Sequence, residues 1–162
     1  MLTQHEQWMK MALLEAQRAF DANEVPVGAV IVYKNKIIGR GYNQIERLRD
    51  PTAHAEMIAI TAAANTLQSR RLENCTLYVT LEPCPMCAGA IILARIPVLV
   101  FSSYDSKAGA CGTLYNIVED KRLNHQTHVV GGVCDSESEL LLKSFFKKAR
   151  TLSNKKGFNK TI

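Results

Sequence analysis

The chain has 162 residues, 47% of them hydrophobic and 22% charged, with a net charge of +5. That allows one domain with a sizeable core, is too little for two ordinary domains, and excludes a disordered chain. Apolar runs such as residues 90–94 and 98–101 fall far short of the ~18 residues that span a bilayer, so no membrane partner is expected. The first residues, Met-Leu-Thr-Gln-His-Glu, lack a charged-then-apolar leader. Cys75, Cys111 and Cys134 show no disulfide-framework spacing, which fits a reducing, cytoplasmic setting. Charge is uneven. Lys143, Lys147, Lys148, Arg150, Lys155, Lys156 and Lys160 follow residue 142 with no acidic residue among them. Such a basic end suits a polyanion, or simply solvates the chain.

Thr3-Gln4-His5-Glu6 fits a capping box. Trp8, Ala12, Ala16, Ala19 and Phe20 recur at helical spacing, so residues 4–21 read as an amphipathic helix. Residues 27–33 and 37–42 read as a hairpin around Lys34-Asn35-Lys36. Gly28, Gly39 and Gly41 in these strands mark close approach by a ligand or another backbone. Asn43 follows at a strand end, where its amide can donate and accept. Residues 44–52 are polar. Pro51 and Thr52 introduce an alanine-rich helix over 53–67, with Thr52 as cap. Residues 76–80 are a strand, and 85–94 a helix with Pro85 at its first position. Residues 98–102 form a strand and 104–112 a loop carrying Asp105 and Lys107. Residues 127–130 are the last strand. Ser136-x-x-Glu139 reads as a second capping box, opening a helix with Leu140, Leu141, Phe145 and Ala149 on its apolar face. This order implies an α/β fold of three α/β/α layers around a mixed sheet of about five strands. One domain is expected over 1–152, followed by a basic, flexible tail over 153–162.

Two stretches read as one site. His54-Ala55-Glu56 offers an imidazole and a carboxylate, and Pro83-Cys84-Pro85-Met86-Cys87 offers two thiols. His54, Cys84 and Cys87 make three zinc ligands, leaving a fourth tetrahedral position for water, the mark of a catalytic rather than a structural zinc. Zinc lowers the pKa of such a water to about 7. Glu56 is then free to carry protons. H-x-E followed by P-C-x-x-C is the signature of zinc nucleobase deaminases. The thiols also resemble a redox C-P-x-C, which leaves His54 and Glu56 idle. A structural zinc needs a fourth Cys or His at short spacing. Both thiols fall at a helix start, which favours thiolate. The zinc is therefore expected where two helix N-termini meet.

The chain resembles the bacterial tRNA-specific adenosine deaminases of the cytidine deaminase-like superfamily. The resemblance runs to about residue 150. It is carried by Glu24-Val25-Pro26-Val27-Gly28-Ala29-Val30, by Asp50-Pro51-Thr52-Ala53-His54-Ala55-Glu56, by Thr80-Leu81-Glu82-Pro83-Cys84-Pro85-Met86-Cys87-Ala88-Gly89-Ala90, and by residues 105–109. It implies one zinc per subunit, a homodimer, and deamination of the wobble adenosine of an arginine tRNA anticodon to inosine. Hydroxide on zinc would attack C6, with Glu56 as proton shuttle. The implied substrate contacts include Asn43, Ala55 and Asp105 in the nucleoside region. The C-terminal helix would approach the anticodon loop, and Lys107, Phe146 and Arg150 complete the contact set. Asp105 is expected to accept a hydrogen bond from a ribose 2′-OH and so favour RNA over DNA. Two rival readings share some of these residues: a deaminase of a free base or nucleoside, of guanine or cytosine type, and an RNA-binding or redox protein whose zinc or dithiol is structural.

Overall fold

The computed structural model describes residues 1–158, with side chains through residue 155. The Lys156 side chain and Lys160, counted above in the basic end, lie outside the described residues, as does the end of the expected tail. Helix α1 spans Gln4–Asp21, with the capping box formed as expected: the Glu6 N–H donates to Thr3 Oγ1 and the Thr3 N–H to the Glu6 carboxylate. Strands β1 (Gly28–Tyr33) and β2 (Lys36–Tyr42) form the hairpin. Lys34 and Asn35 both have positive φ, 47° and 57°, as a two-residue turn matching the strand twist requires. After the short helix α2 (Ile45–Leu48) come α3 (Ala55–Leu67), β3 (Cys75–Leu81), α4 (Pro85–Leu93), β4 (Val98–Ser103), β5 (His128–Val130) and α5 (Asp135–Phe158).

The five strands order as β2-β1-β3-β4-β5. β1 is antiparallel to β2 and β3, whereas β3, β4 and β5 run parallel, so the sheet is mixed as expected. One face packs Val30, Val32, Tyr78 and Val100 against Met9 and Ala12 of α1. The other packs Ile31, Leu77, Val79, Leu99 and Phe101 against Ala59 and Ala63 of α3 and Ala88 and Ile91 of α4. With helices on both faces, β1 is buried almost end to end.

Several local details add to or differ from what the sequence suggests. Residues 44–52 contain a helical turn, α2, held from outside by Glu24. Helix α3 begins at Ala55, with His54 rather than Thr52 at its N-cap. Asp50 takes both the Thr52 N–H (2.8 Å) and hydroxyl (2.7 Å), closing a turn that keeps Thr52 off the helix. The second capping box does not form, because α5 starts at Asp135 and places Ser136 inside its first turn. The α5 apolar face is also thinner than expected. Leu140 is 67% exposed and Ala149 exposed, while Leu141, Leu142 and Phe145 are half-buried. Helix α5 continues past residue 153, through the start of the expected tail.

The strand glycines admit backbone, not ligand. A Cβ on Gly28 would stand 2.2 Å from Ala12 O in α1, and one on Gly41 would stand 2.2 Å from Ala55 O and 2.8 Å from Ala59 N in α3. Backbone cannot yield as a side-chain tip can. Gly41→Ala should therefore push α3 off the sheet, costing about 1–3 kcal/mol of stability by overpacking. It should also lower turnover, since α3 carries His54 and Glu56. An unchanged melting temperature would refute this.

Candidate active site

Parallel pairing of β3 with β4 sets Leu81 beside Ser103, so the turn into α4 and the loop after β4 leave the sheet side by side. Active-site crevices form at such carboxyl ends of parallel strands. Across the crevice stands the start of α3. His54 is the N-cap of α3 and Cys84 the N-cap of α4, and neither side chain caps its own helix. Both turn inward. His54 Nδ1 lies 3.6 Å from Cys84 Sγ and 3.6 Å from Cys87 Sγ. The three donor atoms all fall within 4.8 Å of one another.

These donors fit zinc. Bonds of about 2.3 Å to sulfur and 2.0 Å to nitrogen put tetrahedral N and S ligands about 3.5 Å apart. The electrostatics agree. The Cys84 thiol is pulled down to about 4, first by the hydrogen bond from Cys87 and also by that with His54. Cys87 is pushed above the usual thiol range, first by its bond with Cys84 and then by burial, so the two sulfurs share one proton that a cation would displace. His54 is raised, first by its hydrogen bond with Cys84. Among the described residues no fourth His, Cys or carboxylate joins the cluster.

Glu56, in the first turn of α3, is 4% exposed. Burial raises its carboxyl to about 7. It lines a cavity of about 210 Å³ together with His54, Cys84, Asn43, Ile45, Asp105 and Ala108. That is space for a planar heterocycle. Larger clefts of about 570 and 460 Å³ lie elsewhere and contain none of these groups.

Asn43 Oδ1 accepts from the Ala55 N–H at 2.9 Å, which holds the start of α3 and leaves the amide nitrogen beside the cavity. Ala55, also expected as a substrate contact, is fully buried, donates its N–H to Asn43 and is not among the residues lining the cavity. Asp105 Oδ1 accepts from the Lys107 N–H (2.9 Å) and the Ala108 N–H (3.2 Å), a turn that leaves Oδ2 available. Lys107, Phe146 and Arg150 do not enter this cavity. They line a separate cleft of about 550 Å³ with Lys143 and Ser153, where Phe146 is 45% exposed.

Two buried glutamates were missed by sequence reasoning. Glu24 accepts from the Glu46 and Arg47 N–H groups at 3.2 and 2.7 Å and so fixes the turn that brings Ile45 to the cavity. Glu82 accepts from the Asp105, Cys111 and Thr113 N–H groups and from the Thr113 hydroxyl. The sequence signal for each is its place in a segment that carries the family resemblance, Glu24 before Val-Pro and Glu82 before Pro-Cys.

Comparison with known proteins agrees with this geometry. Residues 2–103 match the cytidine and deoxycytidylate deaminase zinc-binding region. A tRNA-specific adenosine deaminase of Bacillus subtilis (strain 168) is 46% identical over 161 residues, 99% of each chain. A structure from a study of A-to-I editing by tRNA:A34 deaminases at the wobble position superposes with a TM-score of 0.81 at 41% identity, covering 84% of this chain and 99% of that one. A guanine deaminase structure from Bacillus subtilis superposes with a TM-score of 0.62 at 39% identity, covering 68% of this chain and 71% of that one.

Proposed function

Because the chain belongs to the zinc-binding cytidine and deoxycytidylate deaminase family, among its tRNA-specific adenosine deaminases, we propose that it deaminates adenosine to inosine at the wobble position of a tRNA anticodon, arginine tRNA first. The observation that carries this reading is a three-donor cluster with a buried carboxylate, Glu56, beside it and lining the same cavity as His54 and Cys84. His54, Cys84 and Cys87 would hold the zinc, which would supply an activated water at neutral pH. Glu56 takes a proton from the attacking water, delivers it to ring N1, and then helps protonate the leaving amine. The C6–N6 bond breaks, ammonia departs and inosine remains. Burial raises the Glu56 carboxyl above the usual carboxylate range, which suits proton traffic in both directions.

Asn43 and Asp105 flank the base, and the cleft of Lys107, Phe146 and Arg150 receives neighbouring nucleotides by stacking and phosphate pairing. Asp105→Asn preserves the turn through Oδ1 and alters only the free oxygen. It should lower the RNA-to-DNA rate ratio about tenfold, the worth of one hydrogen bond to a charged group. An unchanged ratio refutes the 2′-OH contact.

A homodimer is supported by the outer faces of α3 and α4, where Met57, Ile60 and Met86 are only half-buried, Leu93 is 76% exposed and Gly89 opens on free space. A cytoplasmic location follows from the tRNA substrate. No described helix is long and apolar enough to cross a membrane.

The second reading, a free-base deaminase, is favoured by the likeness to a guanine deaminase. One experiment separates the two. Zinc-loaded protein is incubated with arginine tRNA bearing the A-C-G anticodon and, separately, with adenosine, guanine and cytidine. Inosine only at the first anticodon position supports RNA editing. Turnover of a free base with tRNA untouched overturns it.

A further inference from the structure

Glu82 follows β3 directly, is 1% exposed and is among the residues lining the same cavity, and the reaction proposed above does not use it. Its Oε1 accepts from the Cys111 N–H (3.2 Å) and the Thr113 N–H (2.9 Å). Its Oε2 accepts from the Asp105 N–H (3.0 Å) and the Thr113 hydroxyl. Three of these four groups are amides that can only donate, so the site demands acceptors at both ends of the side chain. The loop is built around this carboxylate. A Cβ on Gly109 would stand 2.3 Å from Glu82 Oε2 and 2.5 Å from Asp105 O. The next residue of the loop, Ala110, donates its N–H to Pro83 O at 2.9 Å, beside Cys84.

We infer that Glu82 is a positioning residue for substrate: it sets the height of Asp105 over the base while its own chain neighbours hold the metal donors. The inference rests on the reading of Asp105 as a substrate contact. A glutamine at 82 makes the consequence specific. With its amide nitrogen at the Oε1 position it would oppose two fixed N–H groups. At the Oε2 position it opposes one, because the Thr113 hydroxyl can rotate and accept. Glutamine therefore adopts the second orientation, and the bond it loses is the one to Asp105.

The test is a double-mutant cycle on an anticodon stem-loop RNA, with zinc content and thermal unfolding measured for each variant. Glu82→Gln should keep one zinc per chain and a cooperative unfolding transition, and raise KM about tenfold with a smaller change in kcat. Combined with Asp105→Asn, it should do no more damage than the worse single variant, because both act through one contact. Losses that multiply, or an unchanged KM in Glu82→Gln, overturn the inference. If Asp105→Asn alone leaves KM and the RNA-to-DNA ratio unchanged, the reading of Asp105 fails and takes this inference with it, a result distinct from the other two. Should Glu82→Gln not fold, Thr113→Val removes one donor and leaves the carboxylate buried. It should raise KM two- to fivefold at full zinc content, and no rise overturns the inference.

Discussion

Glu56→Gln should retain one zinc per chain and lose turnover by about 10²- to 10⁴-fold, the usual worth of a positioned acid–base group. Gln is nearly isosteric and keeps the packing of a side chain that is 4% exposed. It cannot accept a proton from water. The loss should fall at the large end of the range, because two thiolates offset most of the charge of a divalent cation, and proton transfer then carries more of the barrier. KM should change little, since the carboxylate acts on the reacting atoms and not on the rest of the RNA. Stability should not fall. Burial makes the ionised form of Glu56 costly, as its rise to about 7 indicates, and a neutral amide escapes that cost. Measured turnover within threefold of the parent protein would remove Glu56 from the mechanism.

Cys87→Ala should abolish zinc binding and with it all activity. Cys87 is fully buried in the first turn of α4, and its sulfur is one of the three donors in the cluster among the described residues. Two donors cannot hold zinc against water at ordinary concentrations. Cys75 is the control. It is also buried, at the start of β3, and lies outside the metal cluster. Cys75→Ala should keep zinc and turnover and lose about 1 kcal/mol through the small space left behind. Metal analysis by atomic emission alongside thermal melts checks both. Equal zinc in the two variants would show that the cluster is not the metal site.

The spacing of the metal donors was legible because metal chemistry leaves little freedom. Three ligands at the starts of two helices need a His and a C-x-x-C whatever surrounds them, and the structure brings His54, Cys84 and Cys87 within reach of one ion. The hairpin and the mixed sheet were legible for a similar reason: β-branched runs and a Lys-Asn turn are local signals. Other features depend on distant parts of the chain. Nothing local says that Asp50 claims Thr52 and so hands the N-cap of α3 to His54. Three of the four partners of Glu82 are backbone amides 23 to 31 residues away, contributed whatever side chains stand there, and the fourth is the Thr113 hydroxyl. Lys107, Phe146 and Arg150 share a cleft, but one separate from the metal, because α5 passes beside the 105–113 loop and not over the metal site.

The two walls of the cavity are each tied down from beneath, one by Glu24 and the other by Glu82. These bonds form when the chain folds, before any RNA arrives. The conformational entropy of the recognition loops is therefore lost during folding and not during encounter. Adaptation then falls on the nucleic acid, which must unstack and extend one base into a receptor that is already shaped. Such a preorganised receptor discriminates by the cost of deforming its ligand. A flexible anticodon loop meets that cost easily, whereas the same adenosine within a duplex must also break its pairing.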